Sequence, residues 1–167
     1  MKMLSLGRCP LSIDELETVL SFTDQNENFT RLYFAEVKLS EETRCSLTEK
    51  QSSHHSSFQV SFFETGSDPY FPLVHYINQQ IGILQLPEGP LSVDTLEAVL
   101  TLIDQNKNFI LLIFNSVTID DEAAKYLSEK QSVHNALFCL IFSNTHSDHL
   151  EPLKHYLEPQ LEALQIY

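Results

Sequence analysis

Hydrophobic residues recur along the chain at the first, fourth and sixth positions of a short motif. Alternate side chains of a β-strand point to the same side, so each motif predicts a short strand with one buried face. Successive motifs begin 28, 28, 24, 28, 28 and 24 residues apart, and only the third has a polar first position. The seven motifs are Met1/Leu4/Leu6, Phe29/Leu32/Phe34, Ser57/Val60/Phe62, Ile81/Leu84/Leu86, Phe109/Leu112/Phe114, Leu137/Leu140/Phe142 and Leu161/Leu164/Ile166.

A stretch of about 80 residues occurs twice in the chain. The segment LSIDELETVLSFTDQNENF at Leu11 returns as LSVDTLEAVLTLIDQNKNF at Leu91, and about 37 of 87 positions are identical when the chain is shifted by 80. Repeat arrays of this kind form elongated surfaces that usually bind other molecules. We therefore expect one domain, residues 1–167, built from two tandem copies, 1–80 and 81–167, each with three βα units.

The segments between the motifs have the features of helices. Ser12 precedes Glu15 by three residues, the spacing of a capping box, and residues 120–122 supply an acidic first turn to a later helix. Pro72 and Pro152 lie near the predicted start of the last helix in each copy, where we expect a short helix or a 3₁₀ turn.

Strand, helix and next strand within about 28 residues require a crossover connection, which makes the predicted sheet parallel. Two architectures fit this α/β pattern. One is a solenoid with every helix on the same side, and the other is a doubly wound sheet with helices on both sides. The constant length of the units favours the solenoid, because a doubly wound sheet has no reason to keep a period.

The segment LSLGRCPL, residues 4–11, matches the pattern Leu-x-Leu-x-x-Cys-x-Leu. It resembles the leucine-rich repeat, specifically the ribonuclease-inhibitor-like class. The resemblance implies parallel strands on a concave side, helices on a convex side, and binding of other proteins by the concave face, with nothing catalytic. The residues at the position of Cys9 in the later units depart from the usual Asn or Cys; they are Val37, Thr65, Gly89, Val117 and Thr145.

Positions that alternate with the buried ones are expected to face the concave surface, and they differ between the copies. We predict that a partner contacts Arg31, Tyr33, Phe58, Leu111, Ile113, Phe138 and Ile141. The set from the second copy is almost wholly apolar, which is typical of an interface or a self-association site. Two alternatives remain: both faces of these strands are covered, or the register is shifted by one residue, which exchanges the faces.

The chain carries a net charge of −13, divided as −5 over residues 1–80 and −8 over the remainder. Such a charge repels phosphate, so nucleic acid and anionic membranes are poor partners. The longest apolar runs are too short to span a bilayer. Cys9, Cys45 and Cys139 form neither a CxxC pair nor a disulfide framework, which fits a reducing compartment, and we expect a cytoplasmic protein.

Few residues are candidates for metal binding or catalysis. His146, Asp148, His149 and His155 are the best metal ligands in the sequence, but the pair His146/His149 is not part of the repeat, and chance clustering explains it better than zinc. The recurring pairs His54/His134 and His75/His155 follow from the duplication and are expected to be structural. With four glycines and no nucleophile motif, we expect no cofactor and no enzyme activity.

The sequence therefore predicts a protein–protein interaction module that binds through its concave strand face, as an adaptor, an inhibitor or a receptor-recognition segment. The main alternative is a doubly wound α/β enzyme domain. A second alternative is a structural protein that self-assembles, because the chain starts and stops in predicted strands without polar caps. The sequence is also compatible with a homodimer, formed through the apolar strand face or through the open ends.

Overall fold

The structure, a computed structural model, describes residues 2–7, 10–63 and 67–167, and for residues 67–69 it describes the backbone only. Met1 of the first motif, Cys9 and Thr65 therefore lie outside the described residues. The chain divides into two compact units, Met1–Leu84 (unit 1) and Gln85–Tyr167 (unit 2).

In both units a helix separates each strand that matches a predicted motif from the next such strand. The first elements are β1 (Lys2–Gly7), α1 (Ile13–Asp24), β2 (Phe29–Ala35), α2 (Glu41–Glu49), β3 (Phe58–Phe63), α3 (Ser67–Tyr76), a 3₁₀ turn (Asn78–Gln80) and β4 (Ile81–Gln85). The remainder are β5 (Gly89–Pro90), α4 (Val93–Asp104), β6 (Leu111–Asn115), β7 (Val117–Thr118), α5 (Asp121–Glu129), β8 (Phe138–Ser143), α6 (Ser147–Leu157), a 3₁₀ turn (Glu158–Gln160) and β9 (Leu161–Ile166).

Within the described residues, seven strands form one parallel sheet that does not close, in the order β1-β2-β3-β4-β6-β8-β9. This confirms the predicted mixed α/β class with a parallel sheet. The short strands β5 and β7 pair with each other in a separate parallel sheet of two strands, which the sequence pattern did not predict.

The helix starts follow from local polar side chains. Ser12 and Glu15 form the predicted capping box: the Glu15 amide donates to the Ser12 hydroxyl at 3.2 Å, and the Ser12 amide donates to the Glu15 carboxylate at 2.8 Å. Asp120 caps α5 by accepting from the Ala123 amide at 2.7 Å. These side chains satisfy amides that have no partner within the first turn of a helix.

The expected place of Pro72 and Pro152 near a helix start was wrong, although each copy does contain a 3₁₀ turn in its last unit. Both prolines lie inside a helix, and α3 and α6 span 10 and 11 residues before their 3₁₀ turns. Helix α6 begins earlier because the His146 side chain caps it, so Pro152 falls past the first turn. Each proline deprives its helix of one amide donor, a cost that packing of the helix must offset.

The core of each unit lies between its helices and one face of its strands. In β3 and β8 the alternate side chains Phe58/Val60/Phe62 and Phe138/Leu140/Phe142 are buried. In β3 the contact reaches the helix layer, where the ring of Phe62 packs edge-on against Tyr70 with centroids 4.7 Å apart. Burial of such large apolar side chains is the main stabilising contribution, about 1.5–3 kcal/mol for each.

Phe58 and Phe138 are therefore core residues, and their predicted place on the binding face was wrong. Their exposed fractions are 2% and 0%, whereas Leu137, the first position of its motif, is 56% exposed. The reason is the period of two in a strand: the fourth and sixth motif positions share their side with the second position, not with the first. Strands β3 and β8 begin at that second position.

Candidate protein interface

The side of the strands that faces away from the core in unit 2 carries mostly aliphatic side chains. Parallel register places Leu111 beside Cys139 and Ile113 beside Ile141, and β9 continues these two rows with Ala163 and Gln165. The first four side chains are half-buried and the last two are exposed. We call these six residues, Leu111, Ile113, Cys139, Ile141, Ala163 and Gln165, the unit 2 face.

The corresponding side of unit 1 is more polar. Its rows are Met3–Arg31–Gln59 and Ser5–Tyr33–Ser61, which we call the unit 1 face. Arg31 is exposed and Tyr33 is half-buried, with its ring stacked on Phe63 at a centroid distance of 6.4 Å. The two faces thus occupy matching positions in the repeat with different chemistry.

Five of the seven predicted contact residues lie on these faces. Leu111, Ile113 and Ile141 come together on the unit 2 face, and Arg31 and Tyr33 are paired positions of the unit 1 face. Two further apolar residues are accessible immediately before a strand of unit 2: Ile110, 61% exposed, which the alternation also predicts to face the concave surface, and Leu137, 56% exposed, which was missed. Their hydrophobicity was visible in the sequence, but the motif assigned Leu137 to the core.

A row of polar side chains bounds the unit 2 face at the carboxyl ends of its strands. The amide nitrogen of Asn115 donates to a carboxylate oxygen of Glu88 at 2.6 Å. The side-chain oxygen Oδ1 of Asn115 accepts from the Ser143 hydroxyl at 2.8 Å and from the side-chain amide of Asn144 at 3.2 Å. We call Glu88, Asn115, Ser143 and Asn144 the polar ladder.

Backbone geometry at this edge is unusual for the residues present. Ser116 and Asn144 both adopt a left-handed conformation, with φ of 51° and 52°, as Glu36 does in unit 1. Non-glycine residues adopt this conformation rarely, and asparagine does so most readily. Ser116 follows β6 directly and precedes β7, which pairs in the separate two-stranded sheet, and Asn144 follows β8 directly. The ladder was missed because its residues are neighbours only across strands.

A second polar cluster lies away from the strand faces, between α1, α3 and the loop before β3. Nδ1 of His54 is 2.6 Å from Oδ2 of Asp24, and Nε2 of His54 is 3.2 Å from Oε2 of Glu17. The hydroxyl of Tyr76 donates to the other oxygen of Glu17. We call Glu17, Asp24, His54 and Tyr76 the His54 cluster.

Asp24 also holds the loop that follows His54. Its Oδ1 accepts from the backbone amides of His55 and Ser56, at 3.0 and 2.8 Å, and from the Ser56 hydroxyl at 2.7 Å. One carboxylate thus joins the end of α1 to the segment that leads into β3. Charge-assisted hydrogen bonds of this kind are among the stronger ones in proteins.

The same arrangement recurs in unit 2. Nδ1 of His134 is 2.8 Å from Asp104 and Nε2 is 3.2 Å from Glu97, and the Tyr156 hydroxyl donates to Glu97. Asp104 accepts from the backbone amides of Asn135 and Ala136 at 3.0 and 2.7 Å. Because both ring nitrogens of each histidine already face a carboxylate, these clusters support the expected structural role of His54 and His134.

The environment shifts the ionisation of the His54 cluster. Burial favours neutral His54, but hydrogen bonds with Asp24 and Glu17 outweigh it and raise the pKa of His54 above 6.5. Burial likewise opposes ionisation of Asp24, and hydrogen bonds from Ser56 and His54 overcome this and hold its pKa well below 3.8. Burial, followed by the bond to Glu17, raises the pKa of Tyr76.

The histidines considered as metal ligands make other contacts. The rings of His146 and His149 lie 6.3 Å apart, and Nδ1 of His149 accepts from the Ile119 amide at 3.3 Å. Within residues 2–7, 10–63 and 70–167, no group of three or more His, Cys, Asp or Glu side chains is placed to hold a metal ion.

Comparison with models of protein families, with curated proteins and with solved structures gave no match. In the part of the chain that the structure describes, no helix combines the length and the apolar composition needed to cross a bilayer.

Proposed function

We propose that the protein is a non-enzymatic protein-interaction module and that the unit 2 face binds a partner protein. The observation that carries the proposal is the pair of accessible aliphatic rows, Leu111–Cys139 and Ile113–Ile141, on the side of the strands opposite the core. Soluble proteins keep contiguous apolar patches small, and a patch bounded by polar groups commonly marks an interaction site.

The duplication provides an internal control for this proposal. The positions equivalent to Leu111, Ile113 and Ile141 in unit 1 are Arg31, Tyr33 and Ser61. The same strands therefore form with polar residues at these positions, so folding does not require the aliphatic ones. A role in binding accounts for the difference between the two faces.

The architecture that we propose is a leucine-rich-repeat-like solenoid forming one domain. The sequential strand order supports it, because right-handed crossovers between successive neighbouring strands place every helix on the same face. A doubly wound sheet instead reverses its strand order at a switch point. Burial confined to one side of β2, β3, β6 and β8 is further support.

The enzyme alternative has less support from the geometry. An open depression of about 430 Å³ lies at the carboxyl end of β1, lined by apolar residues such as Leu11 and Val37 together with Asp14 and Glu15. The carboxylate of Glu15 already completes the helix cap of Ser12. A catalytic site needs a convergent acid, base or nucleophile with matched geometry, and this depression does not supply that set.

We place the protein in the cytoplasm, with another protein as partner rather than nucleic acid or membrane. The free thiols of Cys45 and Cys139 and the net charge of −13 support this part of the proposal.

The test is a double variant, Ile113→Asp with Ile141→Asp, compared with Ser61→Asp, which changes the equivalent of Ile141 in unit 1. Proteins from the source organism that bind wild type and Ser61→Asp, but not the double variant, are purified, and their direct binding is measured by calorimetry. Circular dichroism establishes that each variant is folded. A purified partner that binds all three proteins equally contradicts the proposal.

Native cysteines give a second readout that needs no substitution. Cys139 lies on the unit 2 face and Cys45 is exposed on α2. We expect a bound partner to slow alkylation of Cys139 while the rate at Cys45 stays unchanged. Equal rates at Cys139 with and without a bound partner would place the interface elsewhere.

A further inference from the structure

We infer that the occupant of the unit 2 face is a cationic amphipathic segment of another protein, with apolar side chains on the aliphatic rows and lysine or arginine beside Glu88. This inference rests on the proposed function and adds the chemistry of the partner. Its basis is the charge around the face and the geometry of the polar ladder.

The strands that surround the unit 2 face carry no cation. The strands of this face, β6, β8 and β9 (LLIFN, FCLIFS and LEALQI), contain no lysine or arginine, and their one charged residue is Glu162, at the register shift between β8 and β9. In unit 1, by contrast, β1 and β2 contain Lys2 and Arg31. The strands of the unit 2 face therefore present no positive charge to a partner, and the carboxylate at the border of the face is that of Glu88.

The polar ladder positions a carboxylate at the border of the aliphatic rows. Asn115 holds Glu88 through a neutral amide donor, so this contact orients the carboxylate without neutralising its charge. Asn115 is in turn held by Ser143 and Asn144 across the neighbouring strand. Glu88 itself is exposed. An exposed, oriented carboxylate beside an apolar surface fits a guanidinium or ammonium group.

The ladder accompanies the apolar face and is not a feature of the repeat. The positions of Asn115 and Ser143 in unit 1 are Ala35 and Phe63, beside the more polar unit 1 face. The strands therefore pair without a ladder. Aliphatic rows and a polar border occur together in unit 2, as the centre and rim of a protein interface do.

The small apolar area that a partner can still bury favours a contribution of charge to the binding affinity. Leu111, Ile113 and Ile141 are already half-buried, so a partner removes only the remaining part of each from water. This gain must also offset the cost of association. A few such contacts give weak binding by themselves. Complementary charge at the rim adds specificity and speeds encounter.

Net charge distinguishes a cationic partner from a second copy of this chain. The chain carries −13, of which −8 lies in residues 81–167, so two copies repel each other over the distance at which encounter is decided. A cationic segment is attracted by the same field. The occupant that we propose is therefore a different protein.

The test uses two fluorescein-labelled amphipathic peptides with the same leucine positions, one with lysine and the other with glutamate at every polar position. We expect wild type to bind the lysine peptide, more weakly as salt is raised, and not to bind the glutamate peptide. Absence of binding to the lysine peptide at low salt overturns the inference.

Asp substitutions separate a specific site from general attraction. The double variant Ile113→Asp/Ile141→Asp makes the protein more negative, so general attraction predicts tighter binding of the lysine peptide. The proposed site predicts binding weaker by about tenfold or more, with Ser61→Asp close to wild type. Unchanged or tighter binding by the double variant overturns the inference. If the double variant fails to fold, the test uses wild type alone. The inference then requires that the bound lysine peptide slow the alkylation of Cys139 and leave that of Cys45 unchanged.

Glu88→Gln tests the rim charge, because glutamine retains an oxygen that accepts from Asn115. We expect the lysine peptide to bind this variant about two- to fivefold more weakly, the range for one exposed ion pair, with a shallower salt dependence. Wild-type affinity in Glu88→Gln contradicts the role of Glu88. A captured partner that protects Cys139 but binds without salt dependence overturns the inference and leaves the proposed function intact.

Discussion

His54 shows how single residues set the local stability of this protein. Its side chain is 12% exposed and lies between carboxylates of α1, while the Tyr76 hydroxyl holds Glu17 from α3. The sequence predicted a structural role for the recurring histidines, but not their partners. Glu17 and Asp24 are 37 and 30 residues away along the chain, so only packing of the helix against the loop brings them together.

The pKa directions predict a pH window for this cluster. A histidine whose pKa is raised by folding stabilises fully below 6.5, and this contribution is lost as pH rises through the folded-state pKa. Asp24, whose pKa is lowered, stabilises above 3.8, and its contribution is lost as pH falls through the folded-state value. The cluster therefore stabilises most between these two ordinary pKa values.

We expect His54→Gln to lower the free energy of unfolding by about 1 kcal/mol within that window, and by less at higher pH. Urea unfolding of wild type and variant across the pH range measures this difference. The control is His55→Gln, because the His55 side chain is exposed and only its backbone amide contacts Asp24. A deficit of His54→Gln that stays constant as pH rises past 6.5 contradicts the predicted sign.

At the scale of elements, strand pairing depends on close backbone approach at Gly7. Gly7 pairs with Ala35 of β2, and a Cβ atom at Gly7 would lie 2.1 Å from the Ala35 carbonyl oxygen. No side chain fits there unless β1 moves away from β2. The corresponding requirement was not visible in the sequence, because a single glycine at a strand end is equally typical of a turn.

We therefore expect Gly7→Ala to destabilise the protein by about 1–3 kcal/mol, the usual range for overpacking a rigid site. Ser5→Ala on the same strand is the control, since Ser5 is exposed and its replacement should change stability by less than about 0.5 kcal/mol. Thermal unfolding followed by circular dichroism compares the two variants. Equal midpoints for Gly7→Ala and Ser5→Ala would show that β1 shifts without cost.

Helices were more predictable than strand faces. The cap of α1 and the acidic start of α5 were predicted correctly, because capping depends on residues three positions apart. Pro72 and Pro152 were misplaced because a proline is favourable in the first turn of a helix, and tertiary packing here overrides that preference. Phe58 and Phe138 were misplaced by one residue, which in a strand exchanges core and surface.

At the scale of the whole molecule, the proposed solenoid makes a prediction about dimensions. A compact domain of 167 residues has a radius of gyration of about 15 Å. We expect small-angle scattering, after size-exclusion chromatography over a concentration series, to give a larger value for a monomer. A monomer at the compact value contradicts the solenoid, and growth in mass with concentration would favour the self-assembly alternative.

The amino-acid sequence by itself determined the α/β class, the parallel sheet, the period and the starts of α1 and α5. These follow from spacings of a few residues, or from a repeat that is legible along the chain. The tertiary structure decided which side of β3 and β8 is core, the pairing of Glu88 with Asn115, and the partners of His54. Which side is core is set by packing of the strands against the helices, because a shift of one residue exchanges the two faces. Glu88 lies 27 positions from Asn115, and His54 lies 30 and 37 positions from its partners, so these groups meet only when strands, loops and helices pack together.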